Sequence, residues 1–537
     1  MSSRAQAAIE AGDTLENLVN QFTDPYACLR ELIQNSMDAG STSVSIEFEF
    51  KPYESGDKGI MIIHVDDTGE GMNRTIIDTK LTQLFSSSKE DDLTKIGKFG
   101  IGFVSVFALN PEAVIVDTGR DGEYWRIFFK KDRTFDRIVL DTPVEGTQIQ
   151  IIKEAGRQEF DAARKRSLDT IIYWCKHTEA EITIDGEVIN KAFELDSPYQ
   201  MRHEETDTEI VLAPSDEQRP YFGFYNRGLT LKEGQEEYIP GVSFKIKSRY
   251  LEHTLTRDNV LEDENYDKAM KLLEKVVSGK FRDTLFASAA KRRDDKLFGY
   301  LVYRLDRRLP KELANLPIFP TLHGENLSIN ELKSVAKKQK EVLWEREATA
   351  VTKELADKKS IPVLQWAGPE AEPGLGRLLE AALGRVAIRS TGEVWALPSV
   401  IKNLPDKNKR LLRSSANILR GAGSPYKELV PAQFDYPGST ISDDLYIEQD
   451  VAGELHRRDG RDDRGWTSFL FGKARGKVLL VNVNHPLIEP HFRLMDNHPA
   501  LAAYLLAKAV TLDDGLDAAT EAKLVEAALE EEKSPTA

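Results

Sequence analysis

Two runs of helically spaced apolar residues lie near the start of the chain, and an Asp24-Pro25 pair separates them. Apolar residues that recur every three to four positions predict amphipathic helices. A proline between two such runs is typical of a loop or of a fresh helix start. The apolar positions are Leu15, Leu18, Val19 and Phe22 in the first run and Leu29, Leu32 and Ile33 in the second.

Strand periodicity follows directly after these helices. Residues 43–50 alternate apolar and polar side chains, which predicts a half-buried strand. Residues 59–67 are more continuously apolar and end in two carboxylates. Residues 1–195 are therefore predicted to form one α/β domain with a largely antiparallel sheet. The further helices predicted in this domain cover residues 73–85, about 100–109 and 158–178.

Three further regions are predicted after this domain. A second α/β part covers residues 196–310, and prolines punctuate its end. A third, smaller α/β part covers residues 311–400 and contains a strand–helix–strand unit. Residues 401–537 form a mixed C-terminal region with a possible role in dimerisation. The region finishes in an acidic tail from Thr511, which is predicted to be frayed or disordered at its end.

Composition narrows the class of protein. The length of 537 residues fits three or four domains at roughly 100–200 residues each. A formal net charge of −16 argues against nucleic acid as a partner, because phosphate neutralisation needs a basic face. Two cysteines cannot build a disulfide framework in so long a chain. No signal-peptide core and no stretch of ~20 apolar residues is present, so we expect a cytoplasmic protein without a membrane partner.

The first segment with chemical potential is Glu31-Leu-Ile-Gln-Asn35-Ser-Met-Asp38-Ala, on a predicted helix. Glu31 and Asn35 are four residues apart, so both side chains leave the same face of the helix. A carboxylate there can orient or deprotonate a water. An amide oxygen one turn away can hold a Mg²⁺ that bridges phosphates. Taken alone, this spacing is also common in surface helices.

A second segment, Asp66-Asp67-Thr-Gly69-Glu-Gly71-Met72, ends the apolar strand. A carboxylate at a strand end can accept a hydrogen bond from the exocyclic amine of adenine. The two glycines let the backbone approach a base closely. An ordinary turn is the alternative interpretation of this segment.

A third segment, Gly97-Lys-Phe99-Gly100-Ile-Gly102-Phe103, is a glycine-rich turn that enters a helix. Unpaired N–H groups at such a position favour phosphates. The segment is not a Walker loop, because no Gly-Lys-Ser/Thr closes it, and it lacks the spacing of a dinucleotide fold. Alone, it carries little information about function.

In this order and spacing, the three segments resemble the ATPase domain of the gyrase, heat-shock-90, histidine-kinase and mismatch-repair superfamily. They are most similar to the heat-shock-90 branch. A fourth family element, Gly146-Thr147-Gln-Ile-Gln-Ile, follows in the sequence. The resemblance implies an α+β sandwich of the Bergerat type, then an α/β middle domain and a smaller mixed C-terminal region. It also implies ATP and Mg²⁺ as cofactors.

The resemblance implies a role for each matching residue. Glu31 would activate water, and Asn35 would coordinate Mg²⁺. Asp67 together with Thr147 would recognise adenine. The other residues implied to contact the nucleotide are Asp38, Gly69, Gly71, Met72, Gly97, Phe99, Gly100, Gly102 and Phe103.

Two further residues are implied by more distant similarities. Residues 224–247 are similar to the start of the heat-shock-90 middle domain, and Arg257 falls where that family has an arginine that reaches the γ-phosphate. A surface arginine paired with Asp258 is the alternative. Phe85-Ser-Ser-Ser-Lys89 resembles the Ser-x-Lys lid pattern of microrchidia ATPases, so Lys89 is either a phosphate contact or an exposed loop lysine.

The leading hypothesis is a heat-shock-90-like, Mg²⁺-dependent ATPase that closes as a homodimeric clamp. It would act on client or partner proteins as a molecular chaperone or protein remodeller. A DNA-engaging clamp of microrchidia or mismatch-repair type is one alternative, and a nucleotide-switched signalling or defence protein is another. A histidine kinase does not fit, because such kinases have asparagine where Glu31 stands.

Overall fold

Long strands with alternating apolar residues build an eight-stranded sheet in the first part of the chain. The computed structural model describes residues 24–54, 56–82, 99–254, 259–305, 309–449, 455–458, 477–511 and 517–533. The strands of this sheet are β1 (Ser43–Pro52), β2 (Lys58–Asp67), β3 (Ala113–Arg120), β4 (Glu123–Lys130), β5 (Phe135–Val139), β6 (Thr147–Gly156), β7 (Glu181–Ile184) and β8 (Glu187–Val188).

The sheet order is β5-β4-β3-β6-β2-β1-β7-β8. Only the β1–β7 pair is parallel, so the predicted antiparallel character is confirmed. Apolar side chains from the helices and the sheet form one core, which gives an α+β sandwich. The helices are α1 (Ala27–Asp38), the short α2 (Arg74–Ile76), α3 (Phe99–Val104) and α4 (Arg157–Cys175), and a 3₁₀ turn, Ser105–Leu109, extends α3.

A second, five-stranded sheet belongs to the same compact unit, Met1–Phe281. Its order is β12-β11-β13-β10-β9. The turn between β11 and β12 approaches the end of α4 closely: a Cβ on Gly228 would lie 1.9 Å from the carbonyl oxygen of His177. The elements are β9 (Met201–Glu205), β10 (Thr208–Pro214), β11 (Tyr221–Asn226), β12 (Leu229–Gln235), β13 (Val242–Ser248) and α5 (Glu264–Val276), with a π-helical turn at Val277–Phe281.

The second compact unit, Arg282–Ala537, begins with helices and a small parallel sheet of order β15-β14-β16. This sheet contains the predicted strand–helix–strand unit, which is confirmed. The elements are α6 (Arg282–Lys291), α7 (Asp295–Leu301), a 3₁₀ turn (Val302–Arg304), α8 (Lys311–Ala314), α9 (Ile329–Gln339), β14 (Glu341–Glu345), α10 (Ala350–Lys359), β15 (Val363–Gln365), α11 (Pro373–Leu383), β16 (Ala387–Ser390) and α12 (Thr391–Val394).

The remainder of this unit contains a four-stranded sheet of order β18-β19-β22-β20 and a two-stranded pair, β17-β21. Helices pack against the four-stranded sheet in a separate apolar core. The elements are β17 (Trp395–Ala396), β18 (Ser399–Val400), α13 (Asp406–Gly421), β19 (Tyr426–Gln433), β20 (Tyr446–Gln449), β21 (His456–Arg457), β22 (Lys477–Asn482), α14 (Ile488–Leu494), α15 (Pro499–Ala509) and α16 (Ala518–Lys533).

The helix predicted over residues 73–85 is observed over residues 74–81. Asn73 caps α2 by accepting a hydrogen bond from the Ile76 N–H, and a π-helical turn, Ile77–Leu81, completes the segment. Thr82 ends it, because both its N–H and its hydroxyl donate to the carbonyl oxygen of Ile77, each over 2.9 Å. Residues 83–85 of the predicted helix lie outside the described residues.

The acidic tail contains a packed helix that was not predicted, and the end of the tail, where fraying is expected, lies outside the described residues. Residues 518–533 form α16, on which Leu524 and Ala527 are buried in the C-terminal core. A Cβ on Gly421 of α13 would lie 2.8 Å from the Cβ of Ala527, so the two helices approach closely there. The high density of glutamates concealed a short apolar stripe of three-residue spacing.

Both cysteines, Cys28 and Cys175, are buried free thiols. Burial raises the pKa of the Cys28 thiol and that of Cys175, so neither has the low pKa of a reactive thiol. Across the residues described above, no helix combines the length and apolar character needed to cross a bilayer.

Replacing Leu524 by alanine tests how α16 is held. Leu524 is fully buried, so Leu524→Ala is expected to lower the free energy of unfolding of this region by about 2–5 kcal/mol. Leu529→Ala on the same helix is the matched control: Leu529 is 54% exposed, and its loss should change stability by less than ~0.5 kcal/mol. Urea denaturation with hydrogen exchange of α13 measures both. Equal effects of the two variants would contradict the packing of α16.

Candidate functional site

Helix α1 carries the predicted acid–base and metal-binding residues on one face. Glu31 is buried and Asn35 half-buried, and they lie one helical turn apart. The helix begins directly after the Asp24-Pro25 pair, and its other faces bury Leu29, Leu32 and Ile33 in the core. The packing of those apolar residues fixes the direction in which Glu31 and Asn35 point.

The glycine-rich segment approaches this face of α1. A Cβ on Gly102 of α3 would lie 3.1 Å from Glu31 Oε2 and 3.6 Å from Asn35 Nδ2. Only a glycine lets the backbone of α3 come so close to both polar groups without displacing one of them. The first and third sequence segments are therefore in contact.

Asp67 lies at the end of β2 and accepts hydrogen bonds from three directions. Its Oδ1 accepts from the N–H groups of Gly69 (2.8 Å) and Thr147 (3.2 Å), and its Oδ2 accepts from the Ser36 hydroxyl (2.8 Å). A carboxylate has about four acceptor positions, so these donors from the described residues leave one on Oδ2. That remaining position can accept an amine of a ligand.

Strand register places Asp67 beside two threonines. Asp67 pairs with Thr147 across β2 and β6, and Thr147 pairs with Thr118 across β6 and β3. The Thr118 hydroxyl accepts from the N–H of Met72 (2.9 Å) and lies 3.2 Å from the Thr147 hydroxyl. The Asp67–Thr147 contact itself uses the backbone N–H of Thr147. The second and fourth sequence segments are therefore also in contact.

Two glycines make the crossing of these segments possible. Gly71 has φ +66°, and a Cβ there would lie 2.1 Å from the carbonyl oxygen of Gly119. Gly146 also has φ +66°, and its Cβ would lie 2.0 Å from the carbonyl oxygen of Asp67. A side chain at either position would be strained and would also collide with backbone. Gly71 therefore has a structural role here in addition to its predicted role as a nucleotide contact.

The other predicted site residues have different surroundings. Asp38, at the end of α1, pairs with Arg227 of the β11–β12 turn over 3.4 Å. The Phe103 side chain is buried against Phe107 and Phe129, so only its backbone is available to a ligand. The backbones of Phe99 and Gly100 belong to α3. Lys89, Gly97 and Arg257 lie outside the described residues.

Sequence reasoning missed three residues that shape this site. Ser36 follows Asn35 directly, and its hydroxyl joins α1 to Asp67. Thr118 is buried and holds the Met72 turn. Arg30 lies behind Glu31: its guanidinium stacks 4.1 Å above the Trp174 ring and contacts His253 Nδ1 over 2.7 Å. The position of Ser36 inside the first motif was the one available signal.

Comparison with known protein families agrees with this geometry. Residues 24–165 match the family model described as histidine kinase-, DNA gyrase B-, and HSP90-like ATPase. Residues 24–165 form an ATPase domain of this family. The matched range contains helix α1, the Asp67 turn, α3 and strand β6.

Individual proteins that are similar to this chain include chaperones and a DNA mismatch repair protein. The chaperone protein HtpG of Anaplasma phagocytophilum is 34% identical over 178 residues, which cover 28% of this chain and 28% of the relative. HtpG of Coxiella burnetii is 28% identical over 177 residues, with the same coverage of each chain. The DNA mismatch repair protein MutL of Cellvibrio japonicus is 27% identical over 132 residues, 24% of this chain and 19% of the relative. The chain thus matches less than a third of the length of each of these relatives.

Gly102→Ala tests the contact between α3 and α1. The added methyl would stand 3.1 Å from Glu31 Oε2, so the carboxylate or α3 must shift by a few tenths of an ångström. We expect ATP turnover to fall about tenfold, because small misplacements of reacting groups are costly. Steady-state turnover and thermal unfolding are measured together.

Gly156→Ala is the control for this variant. Gly156 lies in the same domain, and its Cβ would meet only the Asp57 carbonyl oxygen, at an ordinary 3.5 Å. Its turnover should match that of the wild type. Full turnover in Gly102→Ala, with the melting temperature unchanged, would contradict the close approach to Glu31.

Proposed function

We propose that this protein is a heat-shock-90-like, Mg²⁺-dependent ATPase of the cytoplasm that works as a homodimeric clamp on client or partner proteins. The observation that carries the proposal is the contact of Gly102 with both Glu31 and Asn35. It brings the glycine-rich segment to the one helix face that bears a carboxylate and an amide. The matches to HtpG chaperones support a function as a chaperone or protein remodeller.

In the proposed mechanism, Glu31 orients and deprotonates the attacking water. Its burial beside the Gly102 backbone keeps the carboxylate in one orientation, which a general base requires. Asp67 accepts a hydrogen bond from the exocyclic amine of adenine at the remaining acceptor position of Oδ2. Hydrogen bonds from Ser36 and Thr147 keep the carboxylate in place.

Magnesium is proposed on the chemistry of the donors. The Asn35 amide oxygen is a hard ligand of the kind that Mg²⁺ prefers, and nucleotide phosphates and waters usually supply the other positions. Among the described residues, no group of three or more His, Cys, Asp or Glu side chains could hold a metal. Asn35 as the single protein ligand, beside Glu31, is consistent with an ion that phosphates and waters otherwise coordinate. When bound, the ion would neutralise phosphate charge.

Several site residues remain part of the proposal on resemblance alone. The backbone from Gly97 through Phe99, Gly100 and Gly102 to Phe103 would cradle phosphates. Lys89 would contact a phosphate, and Arg257 would reach the γ-phosphate when the clamp closes. Asp38, Gly69, Gly71 and Met72 would line the nucleotide pocket. Closure that completes the site would couple hydrolysis to domain movement.

A DNA-engaging clamp is the second candidate, and the match to a DNA mismatch repair protein favours it. The match covers only 24% of this chain and 19% of the mismatch repair protein. The net charge of −16 favours a protein partner, because DNA clamps need a basic track. A signalling or defence role has the same ATPase requirements, and the fold alone does not distinguish it.

Glu31→Ala tests the assignment of the base. We expect ATP turnover to fall by about 100-fold or more, while ATP affinity stays close to that of the wild type. Glu31→Gln keeps the shape of the side chain and should likewise lose ATP turnover while it retains ATP affinity. Glu159→Gln removes a half-exposed carboxylate of α4 in the same domain and should leave both quantities unchanged. Turnover that survives in Glu31→Ala would exclude Glu31 as the base.

Crosslinking and gel-shift experiments separate the two candidates. With a non-hydrolysable ATP analogue, we expect more crosslinked homodimer in the wild type and no increase in Asp67→Asn, which should bind the analogue poorly. A gel shift with duplex DNA at physiological salt should show no complex. A DNA complex that weakens steeply with salt would favour the DNA clamp instead.

A further inference from the structure

A pocket of about 890 Å³ opens where the end of α4, residues 191–200 and strands β11 and β13 meet. We call it the junction pocket, and it lies inside the first compact unit. Three lysines line it: Lys176, Lys191 and Lys245. Its volume lies within the roughly 300–1,000 Å³ that is typical of small-molecule sites.

Lys245 is the unusual member of this group because it is buried without a counter-ion. Its side chain lies on β13, and the residue is only 8% exposed. Its Nζ lies 3.0 Å from Nε2 of His177, a neutral acceptor. Within the described part of the chain, no carboxylate lies within 4.0 Å of this ammonium group. A buried charge of this kind is costly unless a partner neutralises it.

The tautomer of His177 follows from its second contact. His177 Nδ1 lies 3.0 Å from the carbonyl oxygen of Lys191. A carbonyl only accepts, so Nδ1 carries the proton and Nε2 accepts from Lys245. Burial lowers the pKa of His177 to about 4, so the ring stays neutral near pH 7. His177 therefore orients the ammonium group without compensating its charge.

Glu233, a half-buried carboxylate that interacts electrostatically with Lys245, already has other partners. It pairs with Lys176 and also accepts from the hydroxyls of Tyr221 (2.8 Å) and Tyr225 (2.7 Å). Burial and the neighbouring charge of Lys176 together lower the pKa of Lys245 to about 8. The lysine still carries a proton at neutral pH, so the pocket retains a positive charge at its buried end.

We propose that the junction pocket binds a small organic anion, which places a phosphate or carboxylate group on Lys245 and Lys191. An anion there would supply the missing counter-charge, and the pocket is large enough for the rest of a metabolite-sized molecule. The exposed Glu194 and Asp196 also line the pocket, so they would favour a compact anionic group over a highly charged chain. The proposal does not depend on the ATPase mechanism.

Titration calorimetry on the full chain tests the proposal with inorganic phosphate and, separately, with succinate. Both titrations contain about 150 mM NaCl to suppress weak surface binding, and Mg²⁺ and ADP to occupy the nucleotide site. We expect saturable binding of at least one anion by the wild type. The tighter of the two probes identifies the phosphate or the carboxylate as the preferred group.

Two lysine variants locate the site. Lys245→Met should weaken binding about tenfold or more, which is the scale of one lost hydrogen bond to a charged group. Lys247→Met is the matched control: Lys247 lies two residues further on the same strand and pairs with Glu209 over 2.7 Å. Its loss should leave anion affinity unchanged. Lys191→Met changes an exposed position, keeps the fold intact and should weaken binding several-fold.

Three outcomes would overturn the proposal. The first is no saturable binding of either anion by the wild type, which would mean that His177 and solvent are sufficient partners for Lys245. The second is equal affinity in the wild type, Lys245→Met and Lys191→Met, which would place any bound anion elsewhere. The third is an equal loss in Lys245→Met and Lys247→Met, which would indicate a general charge effect.

Discussion

The carboxylate of Asp67 connects the parts of the ATPase domain that must stay in register. A single side chain receives a hydroxyl from α1, a backbone N–H from β6 and a backbone N–H from its own turn. Hydrogen bonds to a charged group contribute roughly 1.5–3 kcal/mol each, so the loss of this carboxylate would release a helix and a strand together. Position 146 must therefore be a glycine, because the Asp67 backbone occupies the space that a Cβ would need.

Helix α1 converts this local constraint into the geometry of the whole site. Ser36 joins the helix to Asp67, and Glu31 and Asn35 lie close to Gly102. A helix rises 1.5 Å per residue, so the separations of Glu31, Asn35 and Ser36 are set by helix geometry and do not depend on loops. The apolar face that buries Leu29 and Ile33 prevents rotation of the helix about its axis.

The sequence predicted the antiparallel sheet, α1 and a common site for Asp67, Gly69 and Thr147, because periodicity and motif order are local signals. It did not identify Thr118, whose role depends on the register of three strands that are distant in the chain. It assigned contact with Asp67 to Thr147 but could not show that the backbone N–H makes it. The helix in the tail was not predicted, because Leu524 and Ala527 are a weak apolar signal among glutamates, and only their packing against α13 reveals it.

The environment of Arg30 limits how independent the ATPase domain can be. Its guanidinium is buried between Trp174 of α4 and His253, which follows the second sheet in sequence. Gly228 packs closely against the carbonyl oxygen of His177, just after the end of the same helix. An ATPase domain cut from this chain near residue 195 would leave Arg30, the neighbour of Glu31, without its contact to His253. The buried guanidinium thus makes the residues around His253 part of the support for the helix that carries Glu31.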